Sequence, residues 1–115
     1  MEQRFHDNLK MKMDEFVHLV YKTTKIFPKE EIYGVTSQLR RAALSVILNY
    51  IEGYARKRDK VYKNFLEISY GSLKEAKYLL HFSLVEGYLM GEDYKKSIML
   101  SEEIGKMLWS TIQKI

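Results

Sequence analysis

A group of basic side chains is the feature of this sequence best suited to binding a ligand. Five cations are gathered within a short stretch: Arg56, Lys57, Arg58, Lys60 and Lys63. Tyr54 and Tyr62 lie beside them in the sequence. Arginine and lysine contact phosphate oxygens without reading base sequence. We therefore predict that this group, called the basic turn, binds RNA or DNA weakly and without sequence preference. The alternative is a solvated turn that has no ligand.

The residues that usually carry catalysis or bind metals do not form a recognisable set. His6 and His18 are twelve residues apart, about 120° around one helix, and His81 is the third and last histidine. A di-metal site in a helical bundle needs Glu-x-x-His pairs on two helices, which the sequence does not supply. It also lacks a phosphate-binding glycine motif and a His–Asp partner for a serine nucleophile. We predict a non-enzymatic protein with no catalytic, metal or cofactor-binding residues and no small-molecule substrate.

Composition and charge are those of one globular domain spanning residues 1–115, with 46% hydrophobic and 30% charged residues. The net charge of +4 is local: the segment from Val35 to Asn64 carries +5 and the rest of the chain −1. Cysteine is absent, which excludes disulfides and thiolate metal sites and fits a reducing cytoplasm. No apolar run approaches the ~18 residues of a membrane span, and the first ten residues do not resemble a signal peptide. We expect a cytoplasmic protein that does not bind membranes.

Apolar residues recur at steps of three and four, which is the spacing of amphipathic helices. The chain has a single proline, Pro28, and no two-residue hairpin signal, which argues against β structure. The pattern predicts four helices at roughly 4–26, 36–56, 59–87 and 92–114. Four such helices joined by short loops pack most simply as an all-α, antiparallel up-down-up-down four-helix bundle.

Local signals refine the second and third helices. A hydroxyl of Thr36 or Ser37 is expected to cap the second helix, and the carboxylate of Asp59 to cap the third. The core stripe predicted for the third helix contains Val61, Phe65, Ile68, Ser72, Ala76, Leu79 and Ser83. Its small members, together with Ser69, would let a neighbouring helix approach closely.

The second helix is apolar over more of its circumference than one bundle requires. One set of apolar residues faces the expected core, and a second set continues around the helix: Leu44, Leu48, Ile51 and Ala55. A bundle helix needs an apolar stripe of only about 100°. Soluble monomers usually avoid the contiguous apolar patch that the second set would form. We predict that another subunit covers this face; the alternative is that the other helices wrap the second helix more completely.

A polar band beside this face has two interpretations. Arg41, Asn49 and Glu52 lie within it, at steps that permit bonds along the helix with Ser45 and Arg56. The band is either a solvated surface or part of a subunit junction, where these groups would fix the register of the interface. In the second case Arg41, Asn49 and Glu52 join Leu44, Leu48 and Ile51 as interface residues.

The stretch from Phe27 to Ala43, FPKEEIYGVTSQLRRAA, resembles the bacterial four-helix bundle proteins, also called 23S rRNA-intervening-sequence proteins. The family pattern continues beyond it with Ser45, Asn49, Glu52-Gly53, Arg56, Phe65 and Gly71-Ser72-Leu73-x-Glu75. The resemblance spans nearly the whole chain. The chain departs from the pattern at Ile47, where family members often have proline, and at Ile51, where they often have a small residue.

The resemblance implies a ring-shaped homo-oligomer of four-helix protomers, with a pentamer as the expected subunit number. The family name reflects genes found within insertions in ribosomal RNA genes and is not evidence of ribosome binding. Similar bundles act as accessory proteins in diversity-generating retroelements, where they associate with nucleic acid and a reverse transcriptase. The resemblance thus supports two functions, a nucleic-acid-binding accessory protein and a protein–protein interaction scaffold for a partner such as a reverse transcriptase.

Overall fold

The computed structural model describes residues 2–115, which form helices joined by short connections. Their bounds are α1 Glu2–Thr24, the 3-10 turn η1 Lys29–Glu31, α2 Val35–Arg56, α3 Asp59–Val85 and α4 Gly91–Gln113. The four α-helix bounds differ from those predicted from the sequence by at most two residues. No helix in the described part of the chain is long and apolar enough to cross a membrane.

The α-helices pack as a four-helix bundle with extents of 42 × 24 × 18 Å. α2 contacts α1 and α3, and α4 contacts the same two helices from the other side. Each helix therefore has two neighbours and directs one stripe of side chains to the centre. The fully buried apolar residues at that centre include Leu9, Phe16, Leu39, Val46, Leu66, Leu73, Leu80, Ile104 and Leu108.

The contact between α2 and α3 is close because small residues line it. Ser69 Oγ donates to the carbonyl oxygen of Val46 at 2.6 Å, so a side chain of one helix reaches the backbone of the other. Ser72 Oγ is 2.7 Å from Ser45 Oγ. A Cβ placed on Gly53 would stand 2.8 Å from the Phe65 Cβ, nearer than real Cβ atoms approach. Glycine is thus required where the two helices meet most closely.

The core stripe predicted for α3 was wrong in its first half. Ile68 is exposed, and Val61 and Phe65 are only half-buried. The residues that face the core are instead Leu66, Ser69, Ser72, Leu73, Ala76, Leu80 and Ser83. The close approach of α2 on the serine side explains the difference, because it places Ile68 on the outer edge of the α2–α3 contact.

The predicted helix caps were also wrong. α2 begins at Val35, so Thr36 lies inside the helix, and its buried Oγ1 has no hydrogen-bond partner in the described structure. The amide of Val35 instead donates to Glu31 Oε1 at 3.2 Å. α3 follows Arg58, which makes no side-chain cap, and Asp59 is its first residue. The Asp59 carboxylate therefore lies in the first turn, where its negative charge interacts favourably with the positive end of the helix dipole.

Candidate functional site

The basic turn lies at one end of the bundle, at the connection between α2 and α3. α2 ends at Arg56, and Lys57 adopts the left-handed conformation with a φ of 48°. Arg58 returns to extended backbone before α3 begins. This short connection leaves the side chains outside the core, and all five cations of the basic turn are exposed. The structure therefore leaves all five predicted phosphate-binding residues exposed at this end of the bundle.

Most of the positive charge of the basic turn is not neutralised by the protein. Arg56 Nη2 forms an ion pair with Glu52 Oε2 at 2.7 Å, and its guanidinium carbon lies 5.6 Å from the centre of the Phe65 ring. The other four cations form no ion pair within residues 2–115. Lys57 Nζ instead lies 4.4 Å from the centre of the Tyr54 ring. These four cations remain available to an external anion.

Beneath Lys57 lies a cluster of stacked rings that the sequence analysis did not predict. Tyr54 stacks on His6, with ring centres 3.5 Å apart and an angle of 12° between the planes. His6 Nδ1 is 2.8 Å from the Tyr50 hydroxyl, and Tyr62 meets Tyr54 edge-on. Tyr50 and Tyr54 are four residues apart in α2, a spacing that could have indicated a shared helix face. The contribution of His6 from α1 depends on tertiary packing and had no such signal.

Burial controls the protonation of this cluster. Removal from water lowers the pKa of His6, and the positive charges of Lys10 and Lys57 lower it further, against the opposing effect of Asp7. Burial likewise raises the pKa of Tyr50 and of Tyr62. At neutral pH the tyrosines are protonated and the imidazole is uncharged. The cluster is therefore an uncharged aromatic surface on which the charges of Asp7, Lys10 and Lys57 act from its surroundings.

The predicted apolar interface residues lie along the face of α2 that points away from the core. Leu48 is 58% exposed and Ile51 is 41% exposed, while Leu44 is half-buried. We call Leu44, Leu48, Ile51 and the exposed Ala55 the outer stripe. Within the protomer Leu48, Ile51 and Ala55 are exposed, whereas Leu44 also packs partly against the core. Met11 on α1 is also largely exposed, and Asp7, Lys10, Met11 and Asp14 share a shallow groove with Ile47 and Ile51.

The three polar residues predicted for the interface occupy different environments. Arg41 and Glu52 are exposed beside the outer stripe, and Glu52 forms the pair with Arg56 already described. Asn49 is half-buried, and its Nδ2 donates to both the carbonyl oxygen and the Oγ of Ser45 at 2.9 Å. Asn49 therefore bonds within its own helix, Glu52 pairs with Arg56, and Arg41 is exposed.

A second aromatic surface, between α3 and α4, was not predicted. Trp109 is half-exposed, and its ring centre lies 5.5 Å from that of Tyr70. Lys74 Nζ is 5.2 Å from the Tyr70 ring centre. Potential metal ligands are dispersed by comparison: within residues 2–115, no three histidine, aspartate or glutamate side chains come together as a metal site would require.

The sequence and the fold can both be compared with known proteins. The sequence profile of the 23S rRNA-intervening sequence proteins matches residues 8–110. The chain belongs to this family. The family resemblance inferred from the stretch at Phe27–Ala43 and the residues after it is therefore confirmed.

The fold of this 23S rRNA-intervening sequence protein is similar to one solved by crystallography. That structure is of a protein with unknown function from the S23 ribosomal protein family of Bacteroides thetaiotaomicron. It superposes with a TM-score of 0.85 at 24% sequence identity, covering 95% of this chain and 98% of the other. Among proteins with curated descriptions, none matches this chain. The similarity establishes the all-α, four-helix fold of this family member.

Proposed function

We propose that this protein is a non-enzymatic homo-oligomer that presents its basic turn to RNA or DNA as a cytoplasmic accessory protein. One observation carries the proposal: the five cations of the basic turn are exposed together, and four of them have no ion-pair partner within residues 2–115. Phosphate groups would supply the missing negative charge. Contacts of this kind give affinity that falls with salt and does not depend on base sequence.

The proposed assembly is a ring, with five protomers as the expected number, built through the outer stripe. Leu48 and Ile51 are exposed side by side with Leu44 and Met11 nearby, and each fully buried aliphatic side chain contributes roughly 1.5–3 kcal/mol. Exposed Arg41 and Glu52 border the stripe and could pair across the junction. A ring would present several basic turns at once, so that weak single contacts combine into useful affinity.

Within each protomer we propose that the helices run antiparallel, up-down-up-down. The α2–α3 pairings support this direction. Gly53 near the end of α2 packs against Phe65 near the start of α3, whereas Ser45, earlier in α2, pairs with Ser72, later in α3. In this arrangement the connection between α2 and α3 lies at the same end of the bundle as the start of α1 and the end of α4.

The competing candidate is a protein–protein interaction scaffold, for example an accessory factor of the reverse transcriptase of a diversity-generating retroelement. The Tyr70–Trp109 surface favours it, because exposed aromatic side chains are enriched at protein interfaces. In this case the aromatic and apolar surfaces, and not the basic turn, would carry the function.

Charge reversal separates the two candidates. A variant with Arg56→Glu, Lys57→Glu and Arg58→Glu should lose binding to a labelled RNA or DNA strand in fluorescence anisotropy. The unaltered protein should bind, with an affinity that falls steeply as salt rises. The matched control reverses three exposed cations near the α1–α2 connection instead: Lys22, Lys25 and Lys29.

The control variant has the same net charge as the basic-turn variant, so a general electrostatic effect would weaken both equally. Selective loss in the basic-turn variant, with helical circular dichroism preserved, supports the proposal. Binding that ignores both the reversal and the salt concentration, or no binding by the unaltered protein, would leave the scaffold as the better explanation.

A further inference from the structure

A cleft opens at the end of the bundle beside the basic turn. It has a volume of about 460 Å³ and brings together residues from the start of α1, the ends of α2 and α4, and the start of α3. Its aromatic lining consists of Phe5, His6, Tyr50, Tyr54 and Tyr62. We call it the aromatic cleft. Its size is within the range of ordinary small-ligand sites, about 300–1,000 Å³.

The aromatic cleft offers flat surfaces for a flat, uncharged group. The Tyr54 and His6 rings are stacked nearly parallel, and Tyr50 lies to the side of His6, with ring centres 5.3 Å apart. The neutral imidazole does not repel a neutral heterocycle or attract an anion into the interior. Lys57, whose ammonium group now covers the Tyr54 ring, is an exposed side chain at the edge and can move aside.

The rim of the same cleft is basic. Lys57 and Lys114 both line it, together with the side-chain carboxylate of Glu2. The remaining cations of the basic turn continue outward from Lys57 along the chain. A ligand that suits this arrangement has a flat, neutral heterocycle joined to a negative group, with further negative charge allowed beyond it.

From this geometry we propose that the aromatic cleft binds an unpaired nucleotide, with its base stacked on the face of the Tyr54 ring that points away from His6 and its phosphate held by Lys57 and Lys114. Stacking on aromatic rings tolerates every base, because each has a π-face. A base in a duplex is already stacked and paired and cannot enter. Where the nucleotide belongs to a strand, the inference rests on the proposed nucleic-acid function and specifies single strands as the ligand.

The test uses the full chain and adenosine 5′-monophosphate as the probe, followed by NMR titration of the backbone amides and tyrosine rings. Signals of residues 2–6, 50–62 and 111–115 should shift together. Adenosine and inorganic phosphate, titrated separately, should each bind more weakly than the monophosphate, because each lacks half of the recognition. A short uridine oligonucleotide distinguishes the source: markedly tighter binding than the monophosphate indicates a strand, and equal binding indicates a free nucleotide.

Substitutions identify the stacking surface. Tyr54→Leu should weaken binding of the monophosphate about tenfold or more, the scale of one lost base–aromatic stack, whereas Tyr54→Phe should retain binding. The matched control is Tyr33→Leu, which removes a tyrosine ring that is 95% exposed at the α1–α2 connection. Helical circular dichroism checks that each variant folds.

The results separate this inference from the proposed function. No shift with the monophosphate, or equal binding by the Tyr54→Leu and Tyr54→Phe variants, overturns the aromatic cleft as a nucleotide site even if long strands bind through the basic turn. Monophosphate binding that requires the ring at Tyr54 supports the site even if charge reversal of the basic turn shows no strand binding.

Discussion

Several buried serines in this bundle are satisfied by short-range bonds within their own helices. Ser83 and Ser97 donate to the carbonyl oxygens four residues earlier in their own helices, which lets serine lie in a core without an outside partner. The contact between His6 and Tyr50 is different, because it joins two helices through buried ring atoms. Its stability should therefore depend on the protonation of His6.

Acidification is predicted to weaken the fold through His6. Its pKa in the folded protein lies below the ordinary value of about 6.5, so the unfolded chain binds the proton more readily. The stabilisation is present above that value and is lost as the pH falls through the lower, folded pKa. The free energy of unfolding, measured with urea at a series of pH values, should decrease as the pH falls below about 6.5.

The control for this prediction is the pair of variants His6→Gln and His18→Gln. His18 is exposed, and its Nε2 lies 3.4 Å from Asp14 Oδ1 of its own helix. The decrease in the free energy of unfolding on acidification should be smaller in His6→Gln than in the unaltered protein, and unchanged in His18→Gln. The pKa of His6 is affected by the charges of Asp7, Lys10 and Lys57, and its cleft also contains Glu2 and Lys114. Because salt screens these charges, the series is measured at one salt concentration. An equal pH dependence in both variants would show that His6 is not responsible.

Among the elements, the pairing of α2 with α3 depends most strongly on side-chain size. Gly53, Ser45, Ser69 and Ser72 leave room for the two backbones, and the serines add hydrogen bonds across the contact. Because interiors are close-packed, even one added methyl group must displace a neighbour there. The same substitution at a glycine without neighbours should have the opposite effect.

Two glycine substitutions test this pairing. Gly53→Ala places a Cβ against Phe65, and we expect it to lower the free energy of unfolding by about 1–2 kcal/mol, since overpacking outweighs the better helix propensity of alanine. Gly71→Ala meets nothing within 4 Å and should raise it by up to about 1 kcal/mol. Urea denaturation measures both, and stabilisation by both variants would contradict the close contact.

The sequence predicted the elements better than it predicted their orientation. Periodicity located all four helices, because each carries a continuous stripe. It misplaced the stripe of α3, because Ile68 is more hydrophobic than the serines that pack against α2. A hydrophobicity pattern does not reveal where two helix backbones approach closely. The cap of α2 was missed since Glu31 reaches its first amide from the preceding turn, outside the usual cap position.

For the candidate site, the sequence indicated the charge but not the cleft. The cations of the basic turn are consecutive or nearly so, and an exposed connection between two helices follows from their composition. The aromatic cleft combines the ends of different helices, which are distant in the sequence. His6 and Tyr50 are 44 positions apart, and no local pattern relates them.

At the scale of the whole molecule, the protomer leaves apolar side chains of the outer stripe exposed, among them Leu48 and Ile51. The outer stripe faces away from the core, and α4, which does not contact α2, cannot cover it. Assembly through α2 would bury this surface and repeat the basic turn around the oligomer. The predicted properties of the assembly therefore depend on Leu48 and its neighbours.

Leu48→Glu is predicted to dissociate the oligomer without unfolding the protomer, because the side chain is exposed and a buried charge at the junction would be costly. Met99→Glu is the matched control, since Met99 on α4 is 59% exposed and distant from α2. Size-exclusion chromatography and helical circular dichroism measure both variants. Dissociation by the two variants alike, or by neither, would assign the interface to another surface.

The most direct test of the account is the molar mass of the unaltered protein in solution, measured by light scattering at micromolar concentration. We predict a multiple of the protomer mass of 13.7 kDa, with five copies as the expected number. A mass of 13.7 kDa would mean that single protomers expose Leu48 and Ile51 to water, and it would contradict both the assembly and the multivalent presentation of the basic turn.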